Sequence, residues 1–256
     1  MSGTVHLQQI GEHILWAELD NPPRNTLQAR MVAGLREAVD RAHIDTAIRV
    51  LVVTGRGPAF CAGADLREEL GAAESGERLE GAGLIGELIE RMEACRVPVV
   101  GLINGWCVGG GLELALCCDI RIASTEARFT AAGVNVGLIA SAYRLPRLIG
   151  IAAAKAMLLT GSPFDAEAAL RFGLVTAVHA PDALSAAGLA LAERIASRAP
   201  LSVEAAKRMA DRAPEMTREE GARAATAEAR ALQTTDDHKA AVRAFIAKAQ
   251  PVFTRS

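Results

Sequence analysis

Two stretches of the chain join a glycine turn to the start of a helix, and each could hold a developing negative charge. The first is Ala59-Phe60-Cys61-Ala62-Gly63-Ala64-Asp65-Leu66. The second is Asn104-Gly105-Trp106-Cys107-Val108-Gly109-Gly110-Gly111-Leu112-Glu113-Leu114. A helix start leaves unpaired N–H groups and a partial positive charge, and glycine lets a ligand atom approach them closely. Two such ends meeting at one point would form an oxyanion hole. Glu113 follows Gly110 by three residues, so both lie on one face of the first helical turn. Its neighbours Leu112, Leu114, Ala115 and Leu116 are apolar. The residue types leave two readings open: a surface acid that complements the helix dipole, or a desolvated acid/base.

Other chemistry finds little support. Gly55-Arg56-Gly57-Pro58-Ala59-Phe60 lacks the third glycine of a dinucleotide turn, and Pro58 stands where close backbone approach is needed. No P-loop, GxSxG elbow or HExxH is present. His6, His13, His43, His179 and His238 are scattered and read as strand-end or surface residues. The five cysteines, Cys61, Cys95, Cys107, Cys117 and Cys118, show no CxxC spacing. Neither a disulfide framework nor a metal site is expected, and a reducing compartment fits.

The elements that must carry these turns follow from periodicity. Val5 to Leu19 alternates and reads as a hairpin turning near Gly11, broken by Asn21-Pro22-Pro23. Leu27 to Ile44 has helical spacing. Strands are expected at Arg49–Thr54, Val97–Ile103 and Asp119–Ala123. Asp65 followed by Glu68 has capping-box spacing. Gly71 to Gly83 reads as a mobile loop and Leu84 to Cys95 as a helix. A helix opens at Gly109–Gly111 and runs to Cys117. Later helices are expected at 151–159, 165–172, 182–198 and 202–248, the last broken near Pro214 and Thr234. Strand–turn–helix order followed by helices indicates an α/β fold with a helical C-terminal portion.

Composition agrees with a large core. Of 256 residues, 50% are apolar, and 30 acids against 28 bases leave a net charge of −2. No basic excess is available for a phosphate polymer, so nucleic acid is not an expected partner. The N-terminus shows no basic run leading into an apolar stretch, so no signal peptide is expected. The longest uncharged run, Val97 to Leu112, holds Pro98, Asn104 and five glycines. It reads as buried core rather than a membrane span, and a cytoplasmic location is the expectation.

Several longer motifs, in order, point to a family. They are NPPRNTL (Asn21–Leu27), VLVVTGRGPAFCAGADL (Val50–Leu66), NGWCVGGGLELALCCDIRIA (Asn104–Ala123) and Phe129 to Gly150. LLTGSPFDAEAALRFGLVTAV, ending at Val178, and FIAKAQPVF (Phe245–Phe253) complete the set. Through these the chain resembles the crotonase (enoyl-CoA hydratase/isomerase) superfamily over nearly its full length. The resemblance implies a ββα spiral core over residues 1–197, a helical trimerisation region over 198–256, and an acyl-CoA thioester substrate. It implies that the backbone N–H groups of Ala64 and Gly110 bind the thioester oxygen and that Glu113 is an acid/base. Ala62, with Asp65 and Leu66, would line the adenine site, and Arg24 would run along the CoA. Phe245 and Lys248 would reach CoA from an adjoining subunit of a homotrimer or a hexamer of two trimers. CoA would be part of the substrate, with no separate cofactor.

The pattern breaks at one place. Family hydratases carry a second glutamate shortly after the phenylalanine matching Phe129, and here that place is Gly133. Where relatives read Ile-Pro-Gly-Ala-Gly-Gly, this chain reads Ile139-Ala140-Ser141-Ala142-Tyr143-Arg144. The break argues against Δ3,Δ2-isomerase chemistry. A missing acid/base costs on the order of 10²–10⁴ in rate. Ser141 and Tyr143 become candidates to hydrogen-bond substrate or water, with Ser141 as a helix N-cap the competing role. The leading expectation is hydration of an enoyl-CoA by Glu113 alone. Decarboxylation, thioester hydrolysis and non-catalytic acyl-CoA binding are the alternatives.

Overall fold

The computed structural model describes residues 3–75 and 80–256. Strands β1 (Thr4–Ile10) and β2 (Ile14–Asp20) pair antiparallel from Thr4–Asp20 to Ile10–Ile14, turning through Gly11 with positive φ. Helix α1 (Ala29–Ile44) follows and buries Met31, Val32, Leu35, Ala38, Val39 and Ala42, the apolar stripe read from the sequence.

A unit of strand, second strand and helix then recurs. The first is β3 (Val50–Gly55) and β4 (Ala59–Cys61), followed by α2 (Leu66–Ser75) and α3 (Glu80–Glu93). The second is β5 (Val99–Ile103), β6 (Trp106–Val108) and α4 (Gly110–Leu116). The third is β7 (Ile120–Ser124) and β8 (Arg128–Thr130), followed by a 3-10 turn at Ala132–Val136, α5 (Arg144–Ile149) and α6 (Ile151–Thr160). The leading strand of each unit enters one sheet and the short second strand enters another. With β9 (Phe164–Asp165), α7 (Ala166–Arg171) and β10 (Ala177–His179), the sheets have orders β1-β2-β3-β5-β7-β10 and β4-β6-β8-β9. All pairings beyond the first hairpin are parallel except β8 with β9.

Parallel strands are covered on both faces, which explains why β3 and β5 are buried at every residue. One face packs on α1, α3 and α4 in the main core, around Leu35, Leu51, Phe60, Leu88, Leu112 and Phe129. The other packs under α8 (Leu184–Ala196), around Val50, Val52, Val100, Leu102 and Ala192. Helices α9 (Pro200–Arg212), α10 (Arg218–Gln233) and α11 (Asp236–Ala247) complete the chain, interrupted at Ala213–Glu215 and Thr234–Thr235.

The loop expected at Gly71–Gly83 is corrected. Residues 71–75 belong to α2 and 80–83 to α3, while 76–79 lie outside the described residues. Alanine and glutamate are strong helix formers, and here they outweigh the glycines. Asp65 does cap α2: its Oδ1 accepts the Arg67 N–H at 3.1 Å. The Glu68 side chain lies outside the described residues. The run Val97–Leu112 forms β5, β6 and the turn into α4, and is buried along β5 while Trp106 of β6 is 48% exposed. Among the described residues, no helix is long and apolar enough to cross a membrane.

Candidate active site

The Asn21–Leu27 segment clamps the first glycine turn in place. Buried Asn25 donates its side-chain amide to the carbonyls of Arg56 and Ala59, at 3.0 and 2.7 Å. The Ala62 N–H donates to the Arg24 carbonyl at 3.0 Å, and the Leu27 N–H to the Gly63 carbonyl at 2.8 Å. These bonds hold β4 and Ala62–Ala64 in an extended path beside the second turn.

The two turns touch backbone to backbone. A Cβ on Gly63 would stand 2.6 Å from the Gly110 nitrogen and 2.9 Å from the Val108 oxygen. A Cβ on Gly110 would lie 3.5 Å from the Ala64 nitrogen. A Cβ on Gly111 would collide with the Cys61 carbonyl oxygen. Gly109 adopts φ +54° and donates its N–H to Thr130 of β8 at 3.0 Å. The Ala64 and Gly110 nitrogens are thus neighbours, and among the described residues neither donates a hydrogen bond. Two free donors side by side are what an oxyanion hole requires.

Glu113 stands on the first turn of α4 with its side chain 15% exposed, which removes the surface-acid reading. Its Oε1 accepts the Ser141 N–H, and its Oε2 faces Arg144 Nη1 at 3.5 Å. Arg144 is itself gripped by Glu93 at the end of α3, through Nε and Nη2 at 2.6 and 2.8 Å. That hydrogen bonding pushes the Arg144 pKa up, so it stays a cation. Sequence reading did not single out Arg144, although it stands where relatives carry glycine. A cation at that point was the available signal.

The place of the second glutamate is filled. A Cβ on Gly133 would lie 2.8 Å from both the Ala140 nitrogen and the Leu138 oxygen, and 3.0 Å from the Ile139 carbonyl carbon. The same loop is tied back by the Leu138 N–H donating to the Gly133 carbonyl at 2.8 Å. Ser141 sits in this loop with φ +62°, a left-handed conformation uncommon outside glycine. It is buried, and its Oγ has no hydrogen-bond partner among the described residues. It therefore does not cap α5. Among the described residues Tyr143 makes no hydrogen bond to Glu113: it is 61% exposed, with Arg147 over its ring at 5.1 Å. It lines a cleft of about 750 Å³ with Glu93, Arg144 and Lys207. That cleft includes none of Ala64, Gly110 and Glu113, and it adjoins the site through Arg144 and the last turn of α4.

The remaining expected ligand residues are partly gathered. Ala62 and Asp65 are half-buried and Leu66 is exposed along the first turn, with Arg24 exposed beside them. Gln28 donates to Asp65 at 3.2 Å. Phe245 is 86% exposed on α11, and Lys248 terminates that helix with φ +53°. The tail beyond α11 folds back. Asp237 accepts the N–H groups of Thr254 and Arg255, and Arg255 pairs with buried Glu204 at 3.1 Å. Glu204 also pairs with Arg96 at 2.7 Å. This network ties the C-terminal tail to buried Asp237 in the first turn of α11 and to α9, and sequence periodicity gave no sign of it. All five cysteines are free and buried. Burial pushes the Cys61 and Cys118 thiols up to about 12, which makes them poor nucleophiles.

A family model described as enoyl-CoA hydratase/isomerase matches residues 9–256. The chain is 38% identical over 253 residues to an (E)-benzylidenesuccinyl-CoA hydratase of Thauera aromatica, covering 96% of this chain and 97% of the relative. It is 35% identical to a crotonyl-CoA hydratase of Syntrophomonas wolfei, covering 90% and 89%. Among solved structures, an enoyl-CoA hydratase from Bacillus anthracis superposes with TM-score 0.93 at 29% identity, covering 99% and 100%.

Proposed function

The chain belongs to the enoyl-CoA hydratase/isomerase family, and from that premise we propose that it adds water to a 2-enoyl-CoA thioester with Glu113 as its one acid/base. The observation that carries the proposal is the contact of two free N–H donors, on Ala64 and Gly110, beside a mostly buried carboxylate. Glu113 takes a proton from water as the water oxygen bonds to the β carbon. The π electrons move onto the thioester oxygen, where the two N–H groups hold the enolate. Glu113 then returns that proton to the α carbon, and every atom of water ends in the product. Removing one such donor typically costs about 3–4 kcal/mol of barrier.

CoA is part of the substrate and no separate cofactor enters these steps. Arg24, Ala62, Asp65 and Leu66 take the CoA side. The exposed Phe245 and Lys248 reach the CoA of a neighbouring subunit in a homotrimer or a hexamer of two trimers, built through residues 198–256. The names of the Thauera and Syntrophomonas relatives support an enoyl thioester substrate. The test is hydration of crotonyl-CoA and a longer 2-enoyl-CoA by wild type and Glu113→Gln. Turnover abolished by the substitution is the expected result. A wild-type protein that hydrates neither would refute it.

A second reading is acyl-CoA binding without turnover, favoured by the loop backbone that fills the second glutamate's place. It requires acyl-CoA affinity with no Glu113-dependent product. Malonyl-type CoAs with mass analysis of products separate decarboxylation and thioester hydrolysis from both.

A further inference from the structure

We propose that the side chain of Ser141 is a catalytic residue: its Oγ and the Glu113 carboxylate together hold the water that attacks the enoyl group. The proposal rests on the hydratase reading and supplies what that reading lacks, a second anchor for water where Gly133 offers none.

Three observations meet at this residue. Ser141 donates its backbone N–H to Glu113 Oε1. Its Oγ is buried and has no hydrogen-bond partner among the described residues, the one side-chain oxygen or nitrogen there of which this is true. Its backbone is held at φ +62°, where glycine is the ordinary choice. A buried hydroxyl without a partner is costly, and so is a left-handed serine. Two costs on one residue, touching the catalytic carboxylate, mark a site where function is favoured over stability.

Covalent geometry limits where the hydroxyl lies. Serine Oγ is at most about 3.7 Å from its own nitrogen. That nitrogen is hydrogen-bonded to Glu113 Oε1, so Oγ lies within about 6.5 Å of the carboxylate. A single water bonded to both groups spans up to about 5.6 Å, which serine rotamers turned toward the carboxylate satisfy. The carboxylate has capacity for it, since two oxygens offer about four acceptor positions, and one is used by Ser141 N–H and one by Arg144. Glu113 accepts one proton of the water, and Ser141 Oγ accepts the other hydrogen. The water oxygen is then left with lone pairs free to meet the β carbon. Arg144, fixed by Glu93, keeps the far carboxylate oxygen from turning away. Tyr143, exposed and stacked on Arg147, has no comparable position.

The test uses Ser141→Ala and Ser141→Gly, because the two separate side-chain loss from backbone strain. Both remove Oγ, but Ser141→Gly also relieves the left-handed backbone. The expected result is a 10- to 100-fold fall in kcat for crotonyl-CoA hydration in both, with KM within about threefold. Ser141→Gly should melt above wild type while remaining as slow as Ser141→Ala. A folded variant with kcat within twofold of wild type overturns the proposal. A crystal structure of the wild type at high resolution gives a readout independent of turnover. An ordered water within 3.2 Å of both Ser141 Oγ and a Glu113 oxygen, lost in Ser141→Ala, is expected. Its absence in the wild type overturns the proposal. A bound water in a protein that hydrates no enoyl-CoA instead overturns both the catalytic role and the hydratase reading, leaving only a structural water site.

Discussion

Restoring the second glutamate should damage this protein rather than improve it. At Gly133 an added Cβ meets the Ala140 nitrogen and Leu138 oxygen at 2.8 Å and the Ile139 carbonyl carbon at 3.0 Å. Ordinary contact begins roughly half an ångström farther out, so the 138–140 backbone must retreat. It cannot do so freely, being tied to Gly133 itself and, one residue on, to Glu113. Overpacking of this kind costs about 1–3 kcal/mol. Replacing glycine at an ordinary φ returns about 0.4–1 kcal/mol through the unfolded chain. The net loss for Gly133→Ala is about 1–2 kcal/mol, a fall in Tm of about 2–8 °C for a chain of this size. Retreat of the loop also draws the Ser141 N–H from Glu113, so kcat should fall about tenfold. Gly133→Glu adds the bulk of a carboxylate to the same collision, and should be less stable still and no faster. Thermal melts and crotonyl-CoA hydration rates on the three proteins check this. A Gly133→Glu protein with wild-type Tm and a kcat raised toward the 10²–10⁴ that an acid/base can supply would refute the reasoning, because it would show that the loop yields.

Two further outcomes follow from the geometry. Gly63→Ala places a methyl 2.6 Å from the Gly110 nitrogen on a backbone at φ +83°. Turnover should fall at least 100-fold, with acyl-CoA binding, measured by calorimetry, reduced much less. Glu204 is buried, which pulls its pKa up, but hydrogen bonds from Arg255 and Arg96 outweigh this and hold it below its ordinary 4.5. A lowered carboxylate contributes fully above its ordinary value and loses that contribution as pH falls through the folded value. Urea unfolding of Glu204→Gln at pH 7 should therefore show a loss of about 1–3 kcal/mol, and the gap to wild type should narrow as pH drops below about 4.

The elements near the reacting atoms were legible because glycine turns and helix starts have residue-level causes. Gly109–Gly111 and Ala62–Ala64 could be placed at two helix starts from spacing, and the family motifs joined them at one point. What could not be read was anything fixed by pairs distant along the chain. The Glu93–Arg144–Glu113 chain joins α3, α5 and α4, and the Arg96–Glu204–Arg255 network spans residues far apart in sequence. Periodicity is silent about such partners. The short strands β4, β6, β8, β9 and β10 were missed for a related reason. Two or three residues carry no alternation, and their extended shape comes from the strands they pair with. The 71–83 region failed differently, because local propensity was weighed by its glycines instead of its alanines and glutamates.

The steady order β1-β2-β3-β5-β7-β10 means that each turn of the chain is laid on the one before it, like wire on a spool. Ala64 belongs to one winding and Gly110 to the next. Their separation is the local pitch of that winding. It is set by the β3–β5 and β4–β6 pairings, by the register shift between Ala59 and Cys61, and by the contact of Gly111 with the Cys61 carbonyl. The donor spacing is thereby an elastic property of the stack and not of either loop. Substitutions that alter how two windings seat, such as a side chain at Gly105 against the Pro58 carbonyl, will open or pinch the pair without replacing any residue of the site. Under the proposed function, selectivity among thioesters of different bulk drifts through such seats, far from any residue that touches the acyl chain.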